Sequence, residues 1–198
     1  MRGAGFGFDV PAATVAAVRS AALASGTTDF MVLHAALAVL LSRLSATSDI
    51  AIGTPNAGRG QVELDPMVGM FVNTLVLRTH TDPAESFTDF LKRVRQVDLD
   101  AFAHADVPFE VVVDALSPAR SEAFAPLTQV LLTFVADDQA SDGEPIRLGE
   151  LDIESVVGED TSAKVDLTFT LSTDSGGGWA GHVNYATDLF DEGTVRAI

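Results

Sequence analysis

The chain has 198 residues, 47% of them hydrophobic, and a formal net charge of −16 at pH 7. Its length can bury a sizeable core, and the acidic balance argues against a nucleic-acid backbone or an anionic membrane as partner. With no cysteine, thiol catalysis, cysteine-type zinc sites and disulfides are excluded, and the usage fits the cytoplasm.

The N-terminal MRGAGFGFDV is strand-like and has none of the apolar core of a secretory leader. Pro11 to Ala24 reads as a helix with Val15, Val18 and Leu23 inward and Gly26 as its stop. Thr28 is placed to cap a second helix, Asp29 to Leu44. That helix is apolar nearly all round and so should be central, yet FMVLHAALAVLL is too short to span a bilayer. Asp49 to Thr54 is a short strand.

Met70 to Thr79 is the next strand, with Phe71, Asn73, Leu75 and Leu77 on one face by period-two alternation. Ser86 and Asp89 form a capping-box-like pair that opens a third helix. Phe87, Phe90, Leu91, Val94, Val97, Ala101 and Phe102 recur there at helical spacing, with Lys92, Arg93, Arg95 and Gln96 on the other side. A short helix follows from Pro108 to Leu116. Gln129 to Val135 suits a buried strand. DDQASDGEP is an acidic loop, and KVDLTFTL and WAGHVNYA form a hairpin across the turn Asp174 to Gly178. The final DEGTVRAI opens a helix, and both ends read as cut from a longer polypeptide.

AIGTPNAGRG, residues 51–60, comes close to a phosphate-binding loop. That chemistry needs Lys followed by Ser or Thr, where Arg59 and Gly60 stand, and a helix N-terminus facing the phosphate. The continuation Gln61-Val62-Glu63-Leu64-Asp65-Pro66 supplies carboxylates and a proline instead. His34 shares an apolar face with Phe30, Leu37 and Leu41 and reads as a packed core residue. His80 and His182 stand alone on strands. His104-Ala105-Asp106 has two metal-ligand types but no third at suitable spacing, and reads as a helix-ending turn. No Gly-x-Ser-x-Gly elbow is present. The residues alone offer no complete catalytic constellation and no metal site.

Read in order, several segments resemble the condensation domain of nonribosomal peptide synthetases. IGTPNAGRGQVELDPMVGMFVNTLVLR resembles the family's stretch of Gly-x-Pro-x-Ala/Ser-Gly-Arg, Glu-Leu and Val-Gly-x-Phe-Val-Asn-Thr. HADVPFE, His104 to Glu110, resembles His-Gln-Asp-x-Pro-Phe-Glu, with Ala105 replacing Gln. PLTQVLLTF resembles Asn-Pro-Leu-Phe-Gln-Val, with Ala125 for Asn and Thr128 for Phe. FMVLHAALAVLLSRL and AKVDLTFTL…YATDLFD are also similar to family segments. The family's catalytic His-His-x-x-x-Asp-Gly motif is not in this sequence. The resemblance therefore places residues 1–198 in the C-terminal lobe, with the N-terminal lobe absent and the final helix truncated.

Each lobe of the family resembles chloramphenicol acetyltransferase. The implied fold is α/β, a two-layer sandwich with a mixed sheet flanked by helices. The implied chemistry is peptide-bond formation between thioesters on two carrier proteins. Their phosphopantetheine arms enter a tunnel between the lobes from opposite ends, so no cofactor is bound directly. Gly53, Pro55, Ala57, Gly58, Arg59 and Asn73 are the implied tunnel-lining residues, with glycine letting a thin arm pass near backbone. Asn73 either fixes a crossing loop or touches substrate, and the first is favoured because buried amides are normally satisfied within the protein. His104, Asp106, Pro108, Phe109, Glu110 and Gln129 are structural, the carboxylates suiting a turn and helix start. Residues 137–163 are the candidate latch toward the other lobe. The implied partners are that N-terminal lobe and donor and acceptor peptidyl carrier proteins, with Lys92, Arg93 and Arg95 as one basic patch for an acidic carrier. An exposed apolar face should mark the missing lobe and favour self-association. The alternatives are an epimerisation or cyclisation lobe, a non-catalytic carrier-recruiting module, and an independent oligomeric acyltransferase using one of the four histidines.

Overall fold

The computed structural model describes residues 1–60, 62–118, 121, 124–136, 146–148, 151–153 and 162–198. Three helices are set by local chemistry at their ends. Helix α1 (Ala12–Ser25) follows Pro11 and stops at Gly26, whose φ of 63° is left-handed; its N–H donates to the Leu23 carbonyl and the following Thr27 N–H to the Ala22 carbonyl. Helix α2 (Asp29–Ser45) starts where the Thr28 hydroxyl accepts from the Met31 N–H at 3.2 Å. Helix α3 (Phe87–Ala103) starts where the Ser86 hydroxyl accepts from the Asp89 N–H at 3.2 Å and donates to its carboxylate at 2.8 Å. Helices α4 (Phe109–Leu116) and α5 (Glu192–Arg196) are short.

Six strands form one mixed sheet in the order β1-β8-β7-β4-β2-β3. They are β1 (Gly3–Val10), β2 (Asp49–Asn56), β3 (Asn73–His80), β4 (Val130–Val135), β7 (Leu167–Thr173) and β8 (Trp179–Ala186), while β5 (Ile146–Leu148) and β6 (Leu151–Ile153) make a separate small ladder. The β2–β4 and β4–β7 pairs are parallel and the β1–β8, β7–β8 and β2–β3 pairs antiparallel. By that register, Phe8, Val183, Phe169, Leu132, Ile52 and Leu77 share one face. Helices α1, α2 and α3 cover its central part, burying Val15, Ala35, Leu91, Val94 and Trp179. Fully burying a Val or Leu side chain stabilises by roughly 1.5–3 kcal/mol. The opposite face carries small and polar groups, among them Gly5, Thr168, Ala51 and Gly53. This is the two-layer α/β arrangement expected.

Three local expectations are corrected. Leu23 is 85% exposed, because α1 buries only a narrow stripe through Val15 and Ala22, and Leu23 lies one residue round from it. Strand β3 begins at Asn73 rather than Met70; its last pair with β2 is Asn56 with Asn73, and Met70 is exposed. On α3, Phe87 and Phe102 are exposed, whereas Asp98 is fully buried. The acidic loop 137–145 and most of the proposed latch lie outside the described residues. No single helix among the described residues is long and apolar enough to cross a membrane.

Candidate functional site

The two motif segments meet at one end of the β2–β3 hairpin. Gly53 lies opposite Leu131 in the parallel pair. A Cβ there would lie 2.5 Å from Leu131 Cδ2 and 2.9 Å from Thr128 Cγ2, so any larger residue would have to displace these two side-chain methyls. Thr128 is buried, with its hydroxyl 2.9 Å from the carbonyls of both Ala51 and Val130. Pro55 and Ala57 are exposed and present small surfaces to solvent.

Gly58 turns the chain with φ of 67°, and a Cβ there would lie 1.9 Å from the Phe71 carbonyl oxygen. Arg59 then gathers its own loop. Its guanidinium donates to the carbonyls of Leu64, Asp65 (3.4 Å) and Met67 (2.9 Å), and stacks 4.6 Å from the Phe71 ring centroid. The loop's outer surface is apolar: Val62, Met67, Val68, Met70 and Val72 are all exposed.

Asn73 joins this hairpin to the second motif. Its Nδ2 donates to the Ala105 carbonyl at 2.9 Å and the Val107 carbonyl at 2.8 Å. Its Oδ1 accepts from the Thr74 N–H at 2.9 Å and the Phe109 N–H at 3.0 Å. His104 ends α3: its N–H donates to the Ala101 carbonyl at 3.1 Å, the following Ala105 N–H donates to the Phe102 carbonyl at 3.3 Å, and the His104 Nδ1 lies 2.8 Å from the Asp100 carbonyl. Pro108 precedes α4, and Glu110 lies in the first turn of that helix. Asp106 is exposed in the turn between them.

Gln129 stands apart from this group. Its Nε2 donates to the Ala125 carbonyl at 2.9 Å, and it is the one proposed site residue that lines a cavity of about 1350 Å³. That cavity opens between the ends of α2, α4 and α5, over Leu44, Ile50, Leu116, Val130 and Leu167. One oxygen of Asp166, Oδ1, is sealed there without a hydrogen-bond partner, and burial raises the carboxyl above its ordinary 3.8.

The basic residues of α3 are paired within the chain. Lys92 meets Asp89 at 2.8 Å, Arg93 meets Glu85 at 2.5 Å and the His80 carbonyl at 2.9 Å, and Arg95 donates to the Gly26 carbonyl at 2.9 Å. One polar pair escaped sequence reasoning. His34 Nδ1 lies 2.8 Å from Asp98 Oδ1, and both side chains are fully buried between α2 and α3. The signal was present, since Asp98 continues the stripe of Phe90, Leu91 and Val94 one turn on. The geometry is that of a histidine and an orienting carboxylate, but His34 Nε2 is sealed from solvent and has no partner, so no substrate reaches it. Among the described residues, no group of three or more His, Cys, Asp or Glu is placed to hold a metal ion.

A family model described as a condensation domain matches residues 1–198. A probable non-canonical nonribosomal peptide synthetase of Salinispora arenicola, CymA, is 47% identical over 176 residues, covering 88% of this chain and 2% of that protein. A dimodular nonribosomal peptide synthase of Bacillus subtilis is 45% identical over 174 residues, covering 85% of this chain and 7% of its own length. Among solved structures, the X-domain in its complex with OxyB from teicoplanin biosynthesis superposes with a TM-score of 0.84 at 28% identity. That match covers 98% of this chain and 42% of the other. The chain thus spans a small fraction of its curated relatives and under half of that solved fold.

Proposed function

The chain belongs to the condensation-domain family, and from that membership we propose that it forms one wall of a peptide-bond-forming tunnel in a nonribosomal peptide synthetase. The observation that carries this reading is the family match across residues 1–198 of a chain equivalent to 42% of a solved relative. The remaining wall, and the catalytic histidine, would come from the complementary lobe. Carrier proteins would present phosphopantetheine thioesters, and the acceptor amine would attack the donor carbonyl, releasing the donor's thiol.

Within this reading, Pro55 and Ala57 line the passage, because they are exposed where the hairpin leaves the sheet. Gly53 and Gly58 serve it indirectly, by allowing the hairpin to pack so closely on Leu131 and Phe71. Arg59 shapes the loop beside them through its backbone contacts. The exposed loop Val62 to Val72 is the surface offered to the other lobe.

Assaying this chain alone with loaded donor and acceptor carriers tests the proposal. No dipeptide is expected from it, whereas the intact two-lobe domain should form one. Turnover by the isolated chain would overturn the one-wall reading. A recruiting role is the second reading, favoured by the likeness to an X-domain that forms a complex with OxyB. It requires the intact domain to be inactive in the same assay while still binding a partner protein.

A further inference from the structure

We propose that Asn73 is a positioning residue, one that fixes the His104–Glu110 turn against the β2–β3 hairpin so that both motif segments move as one unit. This rests on the tunnel-wall reading for its consequence in catalysis, but its geometry stands by itself.

A side-chain amide has two N–H donors and one oxygen with two acceptor positions. In Asn73 all four are used inside the chain, by Ala105, Val107, Thr74 and Phe109, at 2.8–3.0 Å. No capacity remains for a substrate. The orientation of the amide is also settled by these partners. Rotating it by half a turn would set its oxygen against two carbonyls and its NH₂ against two N–H groups.

The contact to Phe109 has a specific purpose. The first N–H groups of a helix have no partner within the helix. Pro108 precedes α4 and supplies no side-chain cap. Asn73, 36 residues earlier, supplies a cap from another element. The same side chain holds the carbonyls of Ala105 and Val107, which flank the turn between α3 and α4. On the hairpin side, Asn73 pairs with Asn56, which leads directly into Ala57, Gly58 and Arg59. A displacement of the turn is therefore passed to the loop through one amide.

The test uses the intact synthetase carrying Asn73→Leu or Asn73→Asp. Leu removes all four bonds. Asp retains acceptors for Thr74 and Phe109 but turns a carboxylate oxygen toward two carbonyls. Two readouts are needed: amide hydrogen exchange over residues 105–109, and single-turnover condensation with two donor–acceptor pairs of different side-chain size. The expected result is faster exchange in the turn, unchanged exchange in β7 and β8, and condensation slowed about tenfold or more by the same factor for both pairs. The concentration dependence on acceptor carrier should not change. Slowing confined to one pair, with exchange unchanged, would overturn the proposal in favour of a substrate contact. Wild-type rates in Asn73→Leu would overturn it whatever the exchange shows. Should Asn73→Leu fail to fold, Asn73→Asp carries the same test. If the unmutated synthetase forms no peptide bond, the tunnel-wall reading fails while the exchange measurement still decides the positioning role.

Discussion

His34 Nδ1 and Asp98 Oδ1 form a hydrogen bond of 2.8 Å across 64 residues of sequence, beside a cluster of buried apolar side chains. Each keeps one unpartnered buried atom, Nε2 on the histidine and Oδ2 on the carboxylate. Removing one partner strands the other, which typically costs 3–5 kcal/mol, whereas replacing both with apolar groups of similar volume is far better tolerated. Asp98→Leu alone should therefore lower stability by about 3 kcal/mol or more, and His34→Leu with Asp98→Leu should recover much of it. Urea unfolding of the two single variants and the double variant measures this. A double variant as damaged as the sum of the singles would refute it.

Gly58 and Gly60 are two residues apart and should respond in opposite ways. Gly58→Ala combines a left-handed backbone with a methyl group 1.9 Å from the Phe71 carbonyl, so a loss of about 2 kcal/mol or more is expected. A Cβ at Gly60 meets nothing within 4 Å, so Gly60→Ala should stay within about 0.5 kcal/mol of the parent. Equal effects in denaturant melts would show that the loop is not held as described.

Asp166 predicts a pH dependence. Burial raises its folded carboxyl above the ordinary 3.8, so the native state holds this proton more tightly than the unfolded chain. That contribution is complete below pH 3.8 and is lost as the pH rises through the folded value. Near neutrality the native state carries a charge in a partly buried place. Asp166→Asn should raise the melting temperature near pH 7, with a difference that shrinks toward about pH 4. A constant offset across the range would remove Asp166 as the cause.

The apolar surface of the loop gives a solution prediction. Val68 and Met70 are 104% and 88% exposed, so Val68→Ser with Met70→Ser should change stability by less than about 0.5 kcal/mol. The same pair should reduce binding of an apolar dye and any self-association seen by sedimentation. Unchanged dye binding would place the sticky surface elsewhere.

Features governed by near neighbours were legible in the amino-acid order. Thr28 and Ser86 cap the helices they precede, Gly26 ends one, and Leu75 and Leu77 alternate inward as period two requires. What stayed hidden depends on distant chain. Gly58 is visible as a motif glycine, but only the fold brings Phe71 against it. Asp98 falls on the buried stripe of its helix, but only the fold shows that α2 delivers His34 to it. Asn73 could be read as an amide in need of partners; which partners, and that they satisfy it completely, follows from the packing of the α3–α4 turn on β3.

Strand β3 forms one margin of the sheet, and such margins invite a foreign strand to add on. Here the invitation is withdrawn at both ends. At one end, the Thr74 N–H is taken by the Asn73 side chain. The His80 carbonyl is taken by Arg93 of α3. Among the described residues, a second copy seeking to zip onto this strand would find its open groups concentrated around Val76 and Arg78. That shortened template leaves little for a second copy's strand to add onto, which works against edge-to-edge aggregation.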